Sequence, residues 1–156
     1  MIMLETPRMV DLLSLCDSAR PDEQQQFTAL TGQDWEPEAV ANIFYNKPGV
    51  KFVAKDRGVP FVAGGWEPVI DGVYQSWMVG TMGFWESHWR SITKVSLKSM
   101  IYMFNNGARR LQTCVTADRA EACNWYIRGL KMRFEGLFEG FGIHGEDMAM
   151  FAKLKE

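Results

Sequence analysis

The sequence predicts one α/β (α+β) domain over residues 1–156, with helices first and a sheet after them. Three observations carry this. Helical hydrophobic spacing runs as far as Tyr45, and strand-like alternation begins at Val50. Tight-turn residues separate three successive strand-length runs, which should therefore lie antiparallel. Beyond them, helix-length and strand-length runs alternate to the end of the chain.

Thr6 reads as an N-cap with Pro7 at the first helical position, ahead of the apolar stripe Met9, Val10, Leu12, Leu13 and Leu15. Ala19-Arg20-Pro21 interrupts it. A second helix is expected from Asp22 through Leu30, closed by Gly32, and a third from about Pro37 to Tyr45. Asn46-Lys47-Pro48-Gly49 is turn chemistry. Val50–Ala54 and Val59–Trp66 form a hairpin around Lys55-Asp56-Arg57-Gly58, with Gly58 supplying a positive φ. Pro60 implies an irregular or edge start to the second strand. Pro68–Gly72 makes the next turn and Val73–Val79 the third strand.

A long helix follows from about Ser87 to Asn105, carrying Ile92, Val95, Met100, Ile101 and Phe104, with Gly107 past its end. Arg110–Val115 is a short strand. Ala117 to about Arg128 is a helix bearing Ala120, Cys123, Trp125 and Tyr126. Two strands close the chain, near Met132–Phe138 and Asp147–Leu154, with Gly140, Gly142 and Gly145 in the loop between.

Composition narrows the function classes. The chain is 47% hydrophobic and 23% charged, and a chain of 156 residues buries a core without staples. The net charge of −2 argues against a broadly basic nucleic-acid surface. Three cysteines without a CxxC spacing fit a reducing, cytoplasmic setting, and two histidines give no zinc cluster. No apolar run is long enough to span a membrane. Six tryptophans and ten phenylalanines suit core packing first, and a pocket or partner surface second.

The element order, N-terminal helices and then β-β-β-α-β-α-β-β, resembles that of the Gcn5-related N-acetyltransferases (GNAT). The C-terminal half carries the closest signs. Cys123-Asn124-Trp125-Tyr126-Ile127-Arg128-Gly129-Leu130 resembles the family's helix with a tyrosine near its end, and Asp147-Met148-Ala149-Met150-Phe151-Ala152-Lys153 its last strand. The resemblance covers roughly Val50 onward. It implies a central mixed, mostly antiparallel sheet flanked by helices, acetyl-CoA as cofactor, an amine as second substrate and no metal. Within that fold the chain looks like the internal virion protein A family of short-tailed bacteriophages, on Glu67–Val73, Ser76–Thr81, His88–Lys94 and Ala108–Thr113. That second likeness implies virion assembly, a phage or host protein partner, and the host cytoplasm or the virion as its place.

Several residues are candidates for the site. Tyr126 matches the family's general acid, which protonates the departing thiolate; the plainer alternative is a tyrosine packed in the core. Glu67, Asp71 and His88 are candidate bases, with the two acids expected in a turn. The backbone of Met78 and Val79 would run along the pantetheine. The family's [QR]-x-x-G-x-[GA] phosphate loop is not matched in Gly83–Lys94, where Trp85 and Trp89 are bulky and Glu86 is repulsive. Arg90, Ser91, Thr93 and Lys94 are the substitute phosphate donors near the expected helix start. A non-catalytic protein that grips a partner through the segment Trp77–Trp89 is the competing expectation.

Overall fold

The computed structural model describes residues 2–156. Its elements are β1 (Ile2–Glu5), α1 (Met9–Asp17), α2 (Pro21–Thr31), α3 (Pro37–Tyr45), β2 (Val50–Asp56), β3 (Val59–Ile70), β4 (Val73–Gly80), α4 (Phe84–Asn105), β5 (Arg110–Thr116), α5 (Ala120–Asn124), β6 (Arg133–Phe138) and β7 (Met148–Leu154). A π-helical turn, Trp125–Gly129, continues α5. The strands form one mixed sheet in the order β1-β2-β3-β4-β5-β7-β6, in which only β4 and β5 run parallel.

Adjacent strand residues point to opposite faces, and the core divides accordingly. Val53, Ala63 and Val79 pack under α1 and α3 with Leu12, Leu15, Val40, Ala41 and Phe44. Their neighbours Ala54 and Val62 face α4, where Phe84 and Ile92 cover them. Trp66, Leu111, Val115 and Phe151 complete that side with Met100 and Leu130. Burying each large apolar side chain stabilises the fold by about 1.5–3 kcal/mol.

Four expectations are corrected. An edge strand, Ile2–Glu5 paired to β2, lies ahead of the first helix. Helix α1 starts at Met9 instead of after Thr6, because the Asp11 carboxylate accepts from the Arg8 backbone N–H and caps it there. β3 continues through Pro68 to Ile70, so Glu67 is a strand residue opposite Gln75 and the turn is confined to Asp71-Gly72. Helix α4 begins at Phe84 instead of Ser87. Gly83, at φ 80° and with open space around it, turns the chain out of β4 and serves as N-cap.

The hairpin of β2 and β3 turns at Arg57-Gly58, both with positive φ (52° and 80°), as a tight hairpin turn requires. Pro60 sits beside a bulge, where the register shifts between Ala54 and Lys55. Glu5, Asp11 and Lys55 tie β1, α1 and β2 together. Lys55 Nζ lies 2.7 Å from Glu5 Oε2 and 3.2 Å from Asp11 Oδ1, and both Asp11 and Lys55 are buried.

Candidate functional site

The site begins where two strands stop pairing. β4 and β5 bond only from Val73 to Gln75, opposite Arg110 to Gln112. Beyond that point β4 stays with β3 as far as Gly80, and β5 stays with β7 as far as Thr116, so a gap opens between them. The Ser76 hydroxyl donates to Thr113 Oγ1 at 2.7 Å across the vertex of this fork. The Thr81 N–H bonds back to the Phe61 carbonyl on β3. Strand alternation therefore turns the N–H and C=O of Gly80 and Met78 toward the gap, and those of Val79 toward β3.

Helix α2 lies across this opening. Glu23 and Gln26, three residues apart on one helix face, reach the two separated strands. The Gly80 N–H donates to Glu23 Oε2, and the Arg20 N–H donates to the Gly80 carbonyl at 3.1 Å. On the other side Gln26 donates to the Cys114 carbonyl and accepts from the Thr116 N–H. Arg119 Nη1 donates to Gln26 Oε1 at 2.6 Å. Burial pushes the Glu23 carboxyl up to about 7, against the Gly80 hydrogen bond and the charges of Arg119 and Arg20.

Tyr126 enters from the other face, on the π-helical turn. Its ring lies 5.2 Å from Trp125 and 5.5 Å from Phe151. Burial raises its pKa, with nearby Thr113 and Arg119 opposing that rise. Ser76, Thr113 and Tyr126 all line a cavity at the fork.

Two cavities meet at this gap. One, of about 250 Å³, lies between the start of α4 and α5, against Arg20, Phe84, Trp85 and Trp125. The other, of about 330 Å³, lies under α2 and α3, against Phe27, Trp35, Phe44, Trp77, Lys47 and Glu67. Glu23, Met78, Arg119 and Tyr126 line both. A larger hollow of about 700 Å³ between α2 and the loop before β7 is open to solvent and reaches neither Met78 nor Tyr126.

The structure therefore brings Tyr126, Glu67 and Met78 to one cavity. Glu67 is engaged by Lys47, with Nζ 2.7 Å from Oε2. Val79 is fully buried in the core under α1 and α3. Arg90, Ser91, Thr93 and Lys94 do not sit at the helix start. They fall in the second and third turns, because α4 begins at Phe84. Arg90 is exposed over the Trp89 ring, and Lys94 is exposed. Thr93 donates to the Trp89 carbonyl and accepts from Trp125 Nε1, and Ser91 lines a small hollow with Ile2 and Phe52. His88 stacks on Phe61 and faces Asp56 Oδ2 at 3.0 Å, and Asp71 is exposed in its turn. Trp85 packs edge-on against Trp125 at 5.1 Å, so it forms a wall and not a loose obstacle.

The groups facing the first cavity fit an acyl-CoA thioester. Met78 offers backbone groups to the gap. At the start of α4, Phe84 bonds to Thr81 and Ser87 to Gly83, which leaves the N–H groups of Trp85 and Glu86 without partners among the described residues. The loop Gly80-Thr81-Met82-Gly83 also has a glycine at each end, closer to a phosphate loop than the segment from Gly83 onward.

Glu23 went unnoticed in the sequence because Pro21-Asp22-Glu23-Gln24-Gln25-Gln26 reads as a solvated polar helix. One signal was available. Glu23, Phe27 and Leu30 recur at i, i+4 and i+7, which sets a carboxylate in line with an apolar stripe.

No protein-family model matches the chain, and no curated protein matches it by sequence. Solved structures do resemble it. A GNAT-family acetyltransferase from Bacillus anthracis superposes with a TM-score of 0.75 at 12% identity, covering 98% of this chain and 94% of that one. A ribosomal-protein-alanine N-acetyltransferase from Brucella melitensis gives 0.75 at 11% identity, covering 98% and 99%. The ribosomal-protein-S18-alanine N-acetyltransferase from Escherichia coli gives 0.71 at 14% identity, covering 99% and 94%. No helix among the described residues is long and apolar enough to cross a membrane. Strand order, forked parallel pair and superposition agree that this chain has the fold of the GNAT acetyltransferases.

Proposed function

We propose that the chain is an acyl-CoA-dependent N-acyltransferase that acetylates a primary amine, with Glu23 and Tyr126 handling the protons. The observation that carries this is the meeting of two cavities at one break in the sheet, where both are lined by Glu23, Met78 and Tyr126. Acetyl-CoA, when bound, supplies an acyl group activated as a thioester. Met78 would hold its arm through the backbone, and the N–H groups of Trp85 and Glu86 would meet its diphosphate with help from the α4 dipole. Of the four α4 side chains expected there, Arg90 and Lys94 keep exposed charges for the outer end of a nucleotide.

Glu23 is the better base. A carboxyl titrating at about 7 is matched to taking a proton at neutral pH. Glu67 lies opposite Gln75, five residues along β4 from Gly80, or about 16 Å at ~3.3 Å per residue. It suits the far end of the acceptor. Burial raises the Tyr126 hydroxyl above its ordinary value, so it keeps its proton at neutral pH for the leaving thiolate.

Thermal denaturation with and without millimolar acetyl-CoA tests the reading. Binding to the folded state alone raises the midpoint by mass action. We expect such a rise, and its loss in a Gly83→Trp variant that fills the space before α4. A non-catalytic binding role in a bacteriophage, which the second resemblance implies, predicts no rise and no thioester turnover.

A further inference from the structure

Resting on that reading, we infer that the acceptor is a singly charged primary amine carrying an aromatic or branched apolar body, and not a polyamine or a peptide terminus. The cavity under α2 and α3 has a volume of about 330 Å³, at the small end of small-molecule sites. Its apolar wall is a connected set of rings. Phe27 meets Trp35 edge-on at 5.4 Å, and Phe44 stacks on Trp77 at 4.8 Å with 7° between the planes. Leu30 and Ile43 continue the wall and are 39% and 36% exposed. Rings of this kind bind a second ring or a branched chain in offset or edge-on contact.

Several of the polar side chains in the same wall are already engaged. Lys47 neutralises Glu67, Gln112 donates to Gln75, and Gln26 is held by Thr116 and Arg119. Glu23 remains the carboxylate with no cation at hydrogen-bonding distance. One unpaired carboxylate at one end of an apolar slot recognises one ammonium. A polyamine would bring further ammonium groups to a wall that holds Lys47 and Arg119 and no second unpaired carboxylate, and a peptide would set backbone amides against the rings.

The test uses the intact chain with 2-phenylethylamine, ethanolamine, spermidine and a short peptide with a free N-terminal alanine. Two readouts are taken: tryptophan fluorescence with each amine alone, since Trp35 and Trp77 line the cavity, and thiol release from acetyl-CoA. We expect saturable quenching by 2-phenylethylamine and a kcat/KM about 10- to 100-fold above that of ethanolamine, the discrimination expected for burying one ring. Leu30→Lys places a cation in the exposed part of the wall without disturbing the core. It should raise the KM for 2-phenylethylamine about tenfold and leave the KM for acetyl-CoA within twofold. Turnover that is equal or better with spermidine or the peptide overturns the inference and leaves the acyltransferase reading intact. Saturable quenching by 2-phenylethylamine, without binding or turnover of acetyl-CoA, supports the amine site and removes the acyltransferase reading. Absence of any quenching overturns the inference.

Discussion

The Gly80 backbone N–H donates to the Glu23 carboxylate at 2.5 Å, so the end of β4 is capped by a side chain from α2 where sheet pairing has stopped. This bond fixes an acid at the gap and holds it in a site that resists its charge.

The first prediction concerns the titration of that acid. Burial raises Glu23 to about 7, whereas an unfolded chain titrates it near ~4.3. Between those values the folded state keeps a proton that the unfolded state has lost. Stability from this group therefore falls as pH rises from about 4.5 to about 7 and is level above that. Glu23→Gln keeps an acceptor for Gly80 and removes the charge. Its melting point should exceed that of the wild type by a few degrees at pH 8 and match it near pH 4.5. Its acetyl-transfer rate should drop about 100-fold and lose the limb centred near pH 7. A variant that melts lower than the wild type at pH 8 contradicts this account.

Tyr126→Phe keeps the ring between Trp125 and Phe151 and removes only the hydroxyl. Losing the hydroxyl costs at most about 1 kcal/mol, so the melting point should move by only a few degrees. The value of kcat should fall about 100-fold, with the KM for acetyl-CoA little changed. Steady-state kinetics on the purified variant checks both. An unchanged kcat would return Tyr126 to a packing role.

Asp11 anchors the opposite corner of the sheet. Burial works against its charge, and hydrogen bonds from Arg8 and Lys55 outweigh it, holding the carboxyl below its usual range. Asp11→Ala leaves Lys55, only 6% exposed, with the half-exposed Glu5 as its remaining partner. Removing one partner of a buried pair costs about 3–5 kcal/mol; the partial relief by Glu5 sets the lower end. Urea denaturation should show this loss at pH 7. A lowered pKa contributes stability above the unfolded value and loses it as pH falls through the folded one. The gap between wild type and variant should therefore close below about pH 4.

Gly80→Ala tests the packing at the end of β4. A Cβ there would meet Phe84 Cδ1 and Cζ at 2.7 Å, so the first residue of α4 must move. Overpacking of this kind costs about 1–3 kcal/mol. The displaced helix start should weaken acetyl-CoA binding in calorimetric titration more than it lowers the melting point.

Much of the fold was legible from punctuation. Arg57-Gly58, Asp71-Gly72 and Gly107 end their elements for steric reasons that need no tertiary contact. The strand Ile2–Glu5 was not, because four residues on a sheet edge carry little alternation. The start of α4 was missed because Phe84 and Trp85 are indifferent helix formers, while Ser87 has the N-cap chemistry that Gly83 lacks. That three-residue difference moved Arg90 and its neighbours away from the helix terminus.

The candidate site was legible where position in the element order puts a residue at the gap. Tyr126 could be placed by counting elements, and it lines the gap. Glu67 reaches the same cavity from a strand instead of a turn. Glu23 could not be placed that way. Its burial depends on α2 lying across strands far from it in sequence, a tertiary fact that its polar neighbours hide.

The π-helical turn at Trp125–Gly129 has a consequence for change by insertion and deletion. Its hydrogen bond runs from the Leu130 N–H to the Trp125 carbonyl, five residues back, so the loop holds one residue more than an α-turn. Substitutions at Ile127 or Arg128 leave that surplus in place. Losing a single codon there would restore the regular winding and swing the phenol by about 100° relative to β6. In this chain the aim of Tyr126 is a matter of reading length before it is a matter of residue identity.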